Sequence, residues 1–236
     1  LAEQRGLDIC ALCSACASSL AESAHQLNHN EKLRNEINME LANFGLNYNG
    51  KTNVYHFTRI LYEFVGLDKI KASITRELNG FRFAAHYGCH YLKPASAFKG
   101  FDDPDNPKTL HHLISATGAY PIDYETINLC CGGKSFPVSE DIARSLVKSK
   151  IDNLMLKKID FLVVQCQTCY LMYRGQQKSL NQKFNRNYNI PVLLYPQLLG
   201  AAMGGDLRDD LGIHLNGISL DDFTKKLGVD LPYIKR

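Results

Sequence analysis

Nowhere does the sequence offer a run of about eighteen uninterrupted apolar residues, so it presents no membrane-spanning helix. The nearest approach, IPVLLYPQLLGAAMGG (190–205), is short and broken by Pro196. An excess of one charge is missing too. The 27 Lys and Arg against 24 Asp and Glu leave a formal net charge of +3, with the basic residues scattered rather than gathered in a phosphate-binding stripe. Nucleic acid is therefore not an expected partner. The chain opens LAEQRGLD, without a secretory pattern, and the expected compartment is the cytoplasm. No G-x-G-x-x-G fingerprint occurs, so any flavin chemistry has to reside on a partner.

What the chain has is cysteine. Cys10, Cys13, Cys16, Cys89, Cys130, Cys131, Cys166 and Cys169 are spread over 236 residues of ordinary globular composition, 45% hydrophobic and 22% charged. Disulfide frameworks belong chiefly to short secreted chains. Tight clusters in a longer chain without a secretory pattern favour metal ligation or redox chemistry.

Hydrophobic periodicity gives the frame. Residues 7–46 read as a short apolar lead, a cysteine cluster and two amphipathic helices. TNVYHFTRILYEFVGL (52–67) reads as a strand at Val54–His56 leading into a helix that ends at Gly66. FRFAAHYGC (81–89) is a buried strand ending at a cysteine, and residues 93–110, rich in Pro, Asp and Gly, form a loop. A helix at HHLISATGA, a strand at YPIDYET and a loop at INLCCGGKS follow. Next come a long helix with Pro137 near its first turn, a buried strand DFLVVQC, a helix from Gln167, a strand IPVLLYP and a helix QLLGAAMGG. Strands alternating with helices predict α/β units on a largely parallel sheet, with cysteines at strand ends or in the loops beyond them, the edge where such sheets bind ligands. An internal echo is also present. GLDICALCSACASSL and KIDFLVVQCQTCYLM share an apolar strand, a C-x-x-C and a helix, and each precedes a further strand–helix pair. The expected organisation is two related domains, 1–75 and 76–236, with the first incomplete.

In the second half five thiols arrive from three strand ends: Cys89, the adjacent pair Cys130–Cys131 followed by two glycines, and Cys166 with Cys169. A zinc site takes four ligands in a tetrahedron. Five thiols without an interleaved His–x–His exceed that and point to iron–sulfur chemistry, although the close cysteine triplets usual in ferredoxins are absent.

These residues, with HYGCH (86–90), GFDDPDNPKTL (100–110), LCCGG (129–133), CQTC (166–169) and PVLLYPQLLG (191–200), resemble the CCG-domain family, in particular the B subunits of heterodisulfide reductases. The resemblance covers nearly the whole chain. It implies a non-cubane iron–sulfur cluster of [4Fe–4S] composition, two smaller units joined through shared atoms, carried by Cys89, Cys130, Cys131, Cys166 and Cys169. Cys13 and Cys16 correspond to the closing C-x2-C of a second set, whose opening cysteine and Cys-Cys-Gly the sequence does not contain, so that site is partial. Departures from the family pattern are Gln167, Thr168 and Tyr170 around the last C-x2-C and the loop GGKSFP.

The implied activity is reduction of the disulfide joining coenzyme M and coenzyme B. Electrons would come from a [4Fe–4S] ferredoxin-like subunit and, upstream, from a flavin subunit with a hydrogenase or formate dehydrogenase. An electron-transfer subunit of a succinate/fumarate- or quinone-linked oxidoreductase is the alternative. His86, His90 and Lys134 flank the ligand cysteines and are the candidates for proton donation or anion binding, Arg174 being a further cation for the coenzymes. For each a plainer reading stands beside it: the histidines as hydrogen-bond partners of sulfur or backbone, Lys134 as a solvated loop residue. Tyr170 and Tyr173 read as core, His111–His112 as surface, Cys10 as structural. His25 and His29, one helical turn apart, lack a third ligand.

Overall fold

The computed structural model describes residues 1–216 and 221–228. Two parallel sheets carry the chain. The smaller joins β1 (Ile9–Ala11) to β2 (Val54–His56), pairing Ile9 with Val54. Between them run α1 (Ser14–His29) and α2 (Glu31–Ala42), and β2 passes straight into α3 (Phe57–Ile60). The short α4 (Leu67–Ala72) leads to the larger sheet.

That sheet has the order β4-β3-β5-β6, built from β3 (Arg82–His86), β4 (Tyr120–Ile122), β5 (Phe161–Val164) and β6 (Val192–Leu194), all parallel. Its central strands read as unbroken apolar runs because helices cover both faces. Phe83, Ala85, Phe161, Val163 and Leu193 point into the core shared with α5 (Thr109–Ser115) and α8 (Tyr195–Ala202). Ala84, Leu162, Val164 and Val192 point into the opposite core, under α6 (Glu140–Leu156) and α7 (Gln167–Phe184). The period-two alternation of a strand thus decides which core each residue enters. The short α9 (Asp221–Leu227) sets Phe223 against Phe81 and Phe161.

The sequence echo recurs in three dimensions. β1, Cys13-x-x-Cys16 and α1 match β5, Cys166-x-x-Cys169 and α7, and each unit pairs in parallel with a strand that runs into a helix, β2–α3 or β6–α8. Two boundaries and one burial differ from expectation. The long helix starts at Glu140, not near Pro137. Ser139 caps it by accepting from the Ile142 N–H, while residues 132–139 form turns closed by Phe136 N–H to Gly132 O (2.9 Å) and Ser139 N–H to Ser135 O (2.8 Å). The strand IPVLLYP ends at Leu194, because Pro196 lies in the first turn of α8, where a missing N–H is harmless. His111 is buried at 7% exposure, its Nδ1 lying 2.7 Å from the Tyr87 hydroxyl; only His112 is at the surface. Three cysteine placements also differ. Cys10 lies within β1 and is exposed, while Cys16 and Cys169 sit in the first turns of helices.

The two sheets are tied by a buried polar cluster around Gln165. Its main-chain oxygen accepts from His56 Nε2 (2.9 Å) and from the Ser14 hydroxyl (3.3 Å), and its side-chain amide donates to the Tyr87 oxygen (3.2 Å). Thr58 Oγ1 lies 2.8 Å from both His56 Nδ1 and Gln165 Oε1, and 3.2 Å from the Tyr91 hydroxyl. Because a carbonyl only accepts, His56 carries its proton on Nε2 and is neutral. Burial lowers its pKa to about 4, against a main-chain contact to Gln165 that works the other way. The unfolded imidazole titrates near 6.5, so between pH 6.5 and 4 the unfolded chain binds the extra proton and stability is lost as the pH falls. The loss is about 3 kcal/mol across that window. Urea unfolding of the metal-free, reduced protein at pH 7 and pH 4.5 should show a slope of this sign, and His56→Gln should reduce it, leaving the part that buried His86 contributes. A variant with the wild-type slope would assign the acid sensitivity elsewhere.

Candidate metal centre

The cysteines gather at the C-terminal ends of the parallel strands. After β3 the chain runs His86-Tyr87-Gly88-Cys89, with Gly88 at φ +78°, which favours glycine, and so close to the site that an added Cβ would stand 3.5 Å from Cys169 Sγ. Cys130 and Cys131 follow β4, where Gly132 turns at φ +75° and its N–H donates to Cys130 Sγ at 3.3 Å. A Cβ on Gly133 would fall 2.3 Å from Thr168 Cγ2 and 3.4 Å from Cys131 Sγ. Gly133 is thus confined by Thr168, while Gly88 brings its backbone within contact range of Cys169. Beyond β5, Cys166 stands at the N-cap of α7 and Cys169 in its first turn.

The five thiols form one continuous chain. Cys89 lies 3.8 Å from Cys130 and Cys131 lies 3.4 Å from Cys169, while Cys130 adjoins Cys131 in sequence and Cys166 and Cys169 share the start of α7. Cys13 extends it from the other sheet, 3.7 Å from Cys166, a contact no spacing argument indicated. Cys16 is exposed and takes no part. Among the described residues no three His, Cys, Asp or Glu side chains surround a single-ion position. A connected set of five sulfurs exceeds the four ligands of a single tetrahedral ion and fits a larger body, and soft thiolates suit iron–sulfur units.

Proton sharing along the chain is uneven. Cys130 is pushed down to about 2, first by the hydrogen bond from Cys131 and then by that from Cys89, and Cys166 down to about 5 by the bond from Cys169. Their donors move up: Cys131 to about 11, chiefly through its bond to Cys130, and Cys89 and Cys169 likewise through hydrogen bonds to neighbouring sulfurs.

His86 is buried, with Nε2 3.3 Å from Cys169 Sγ and its ring edge-on to Tyr173 at 4.9 Å. Burial, and next the charge of Lys150, hold its pKa well below the usual range, so it is neutral. His90 Nδ1 lies 3.0 Å from Cys89 Sγ at a half-buried position, the more accessible of the two. Lys134 is exposed on the turn after Gly133. Arg174 is engaged, its guanidinium donating to the main-chain oxygens of Asn216 (2.6 Å) and Leu215 and lying over the Tyr170 ring, which leaves it committed to the protein rather than to an anion. Tyr173 is fully buried, as core.

Sequence reasoning passed over Lys150. In α6 it shares the stripe of Ala143, Val147 and Leu154, the helix's core-facing side, and a lysine in such a stripe was the available signal. A cavity of about 40 Å³ beside Cys89 is roofed by Pro104 and Pro107. Their loop is tied down by Asp102, which accepts from Lys108 N–H and Thr109 N–H, and by Asn128 donating to Asp105 O (2.7 Å).

Parallel strands delivering a run of thiols to one sheet edge define a cysteine-rich domain, and the Cysteine-rich domain family matches residues 83–174. The chain is 34% identical over 229 residues to the B-type subunit of the ferredoxin/F420H2-dependent CoB-CoM heterodisulfide reductase of Methanosarcina acetivorans, covering 96% of this chain and 75% of that one. It belongs to the family of heterodisulfide reductase B subunits. The 8-methylmenaquinol:fumarate reductase membrane anchor subunit of Wolinella succinogenes is 27% identical, covering 95% of this chain and 76% of that one. A hypothetical protein from Helicobacter pylori shares the fold with a TM-score of 0.70 at 16% identity, across 90% of this chain and 38% of that one. No helix among the described residues is long and apolar enough to cross a membrane.

Proposed function

We propose that this chain is the cluster-bearing, disulfide-cleaving subunit of a heterodisulfide reductase, with Cys89, Cys130, Cys131, Cys166 and Cys169 holding a non-cubane [4Fe–4S] cluster. The observation that supports it best is the unbroken run of five thiols from three strand ends. When bound, such a cluster supplies one-electron chemistry and open iron positions for sulfur. The protein's own residues do the rest. Gly88 and Gly133 bring the backbone close to the sulfurs, and His86 contacts Cys169 from the buried side. His90, half-buried beside Cys89, is placed to carry a proton to a leaving thiolate. Lys134 offers a mobile positive charge at the rim, suited to coenzyme B and coenzyme M, both anionic. Without a flavin fingerprint of its own, the chain would take electrons from a [4Fe–4S] ferredoxin-like subunit fed by a flavin subunit, with a hydrogenase or formate dehydrogenase upstream. Cys13 and Cys16 would serve the partial second site, and the cytoplasm is the compartment this reading assigns.

The fumarate-reductase relative carries a second reading, electron transfer between such a cluster and a quinone or fumarate system. Both readings require iron and acid-labile sulfide in protein purified without oxygen; stoichiometric zinc without iron would end both. Oxidation of reduced viologen dye that depends on the CoB–CoM heterodisulfide supports the first. Activity of the intact complex with fumarate or quinone, and none with the disulfide, replaces it with the second.

A further inference from the structure

Lys150 is fully buried in the middle of α6. Its Nζ donates to the main-chain oxygens of Ile127 (3.0 Å) and Thr126 and lies 3.4 Å from the Tyr124 hydroxyl. The rings of Tyr124 and Tyr173 flank it at 5.0 and 5.9 Å. No carboxylate pairs with it among the described residues, because the ion pairs of α6, Arg144–Glu140 and Lys148–Asp152, lie on its other faces. A buried ammonium without a counter-charge is strongly unfavourable. The ionisable groups facing Lys150 are His86 from β3, Tyr124 after β4, Cys130 and Cys131 on the glycine turn, and Cys169 and Tyr173 from α7. His86 is neutral and the tyrosines are held protonated by burial, so the only negative charge within reach is that of the cysteine centre. In the protein without metal, burial brings the lysine down to about 7, and the three cysteines are the groups that oppose this.

The two carbonyls that hold Nζ belong to residues 126 and 127, on the segment that delivers Cys130 and Cys131. The buried ammonium is therefore fixed to the start of the segment that leads to Cys130 and Cys131. A neutral donor such as glutamine could satisfy the same carbonyls; lysine adds charge.

We propose that Lys150 is the buried counter-ion of the cysteine centre, and that its fixed positive charge raises the reduction potential of the group bound there. This rests on the cluster reading above. One electron arriving from the partner subunit adds one negative charge to the centre and changes no bond, and the nearby ammonium stabilises the product over the reactant. In the low-dielectric core that stabilisation is strong and poorly screened.

The test is a redox titration of the anaerobically purified, iron-loaded full chain, wild type against Lys150→Gln, Lys150→Met and Lys150→Arg. The two neutral variants should show a reduced-to-oxidised ratio at fixed potential lower by about tenfold or more, equivalent to about 59 mV for one electron. Lys150→Arg should stay near wild type. An iron-loaded Lys150→Gln with the wild-type potential overturns the counter-ion role, since the charge is then gone without effect. Loss of iron from both neutral variants but not from Lys150→Arg supports it; loss from all three overturns it, because charge would then not be what the position supplies. A wild-type protein without iron removes the cluster reading itself, and this proposal with it.

Discussion

Replacing Cys131 with alanine is expected to abolish iron binding at the cysteine centre, lowering iron and acid-labile sulfide by more than about tenfold and removing the visible absorbance. Cys131 sits at the middle of the sulfur run, buried, with Cys169 at 3.4 Å on one side and its sequence neighbour Cys130 on the other. Its loss divides the run into two unconnected pairs, and the adjacent residues cannot slide to compensate. Gly132 and Gly133 are packed against Ala143 and Thr168. Cys16→Ala is the matched control. Cys16 is exposed and outside the run, so the iron held by the five thiols should be unchanged. Normal iron content in Cys131→Ala would dismiss the five-thiol assignment, and equal losses in both variants would point to general thiol damage.

Gly132→Ala should be the most damaging change that touches no cysteine. The residue sits at φ +75°, and an ideal Cβ would stand 2.8 Å from Ala143 Cα and 3.0 Å from Ala143 O. Both obstacles belong to the backbone of α6 and cannot rotate away. Left-handed strain of about 1 kcal/mol adds to overpacking of about 1–3 kcal/mol, for a total loss of about 2–4 kcal/mol in urea unfolding. The Gly132 N–H that donates to Cys130 would move with it, so iron content should fall as well. Gly175 offers the contrast. It lies exposed within α7 with nothing within 4 Å of an added Cβ, and Gly175→Ala should gain up to about 1 kcal/mol from helix propensity. A Gly132→Ala protein as stable as wild type would show that α6 yields at Ala143 and that the turn is less constrained than its packing indicates.

The parallel α/β character was legible because strand and helix periods differ and the strands are short apolar runs between helical stripes. FLVV at 161–164 and FAAH at 83–86 could only be strands covered on both sides. The five thiols were legible as a set because each stands just beyond such a strand. The ends of elements were less so. Pro137 looked like a first-turn proline, yet the turn run from Gly132 intervenes and Ser139 takes the cap. His111 looked like surface because its partner, the Tyr87 hydroxyl, lies 24 residues away in sequence. Long-range pairings of that kind leave no local signature. The contact of Cys13 with Cys166, and the cluster of His56 and Thr58 on Gln165, were hidden for the same reason. Lys150 differed, since its place in an apolar stripe was visible and only its significance required the structure.

The Gln165 cluster bears on the order of events in the life of the chain. The residue before Cys166 is held by His56, 109 positions earlier, and by Ser14, 151 positions earlier. Contacts of such separation close late, since chain entropy is spent before they form. The last thiol of the centre is thus aligned only when the amino-terminal sheet has docked, after strands as distant as residues 83 and 161 have already paired. Iron capture then belongs to the final stage of biogenesis. Until that stage the thiols of the centre stand without metal, and those that reach solvent are open to oxidants.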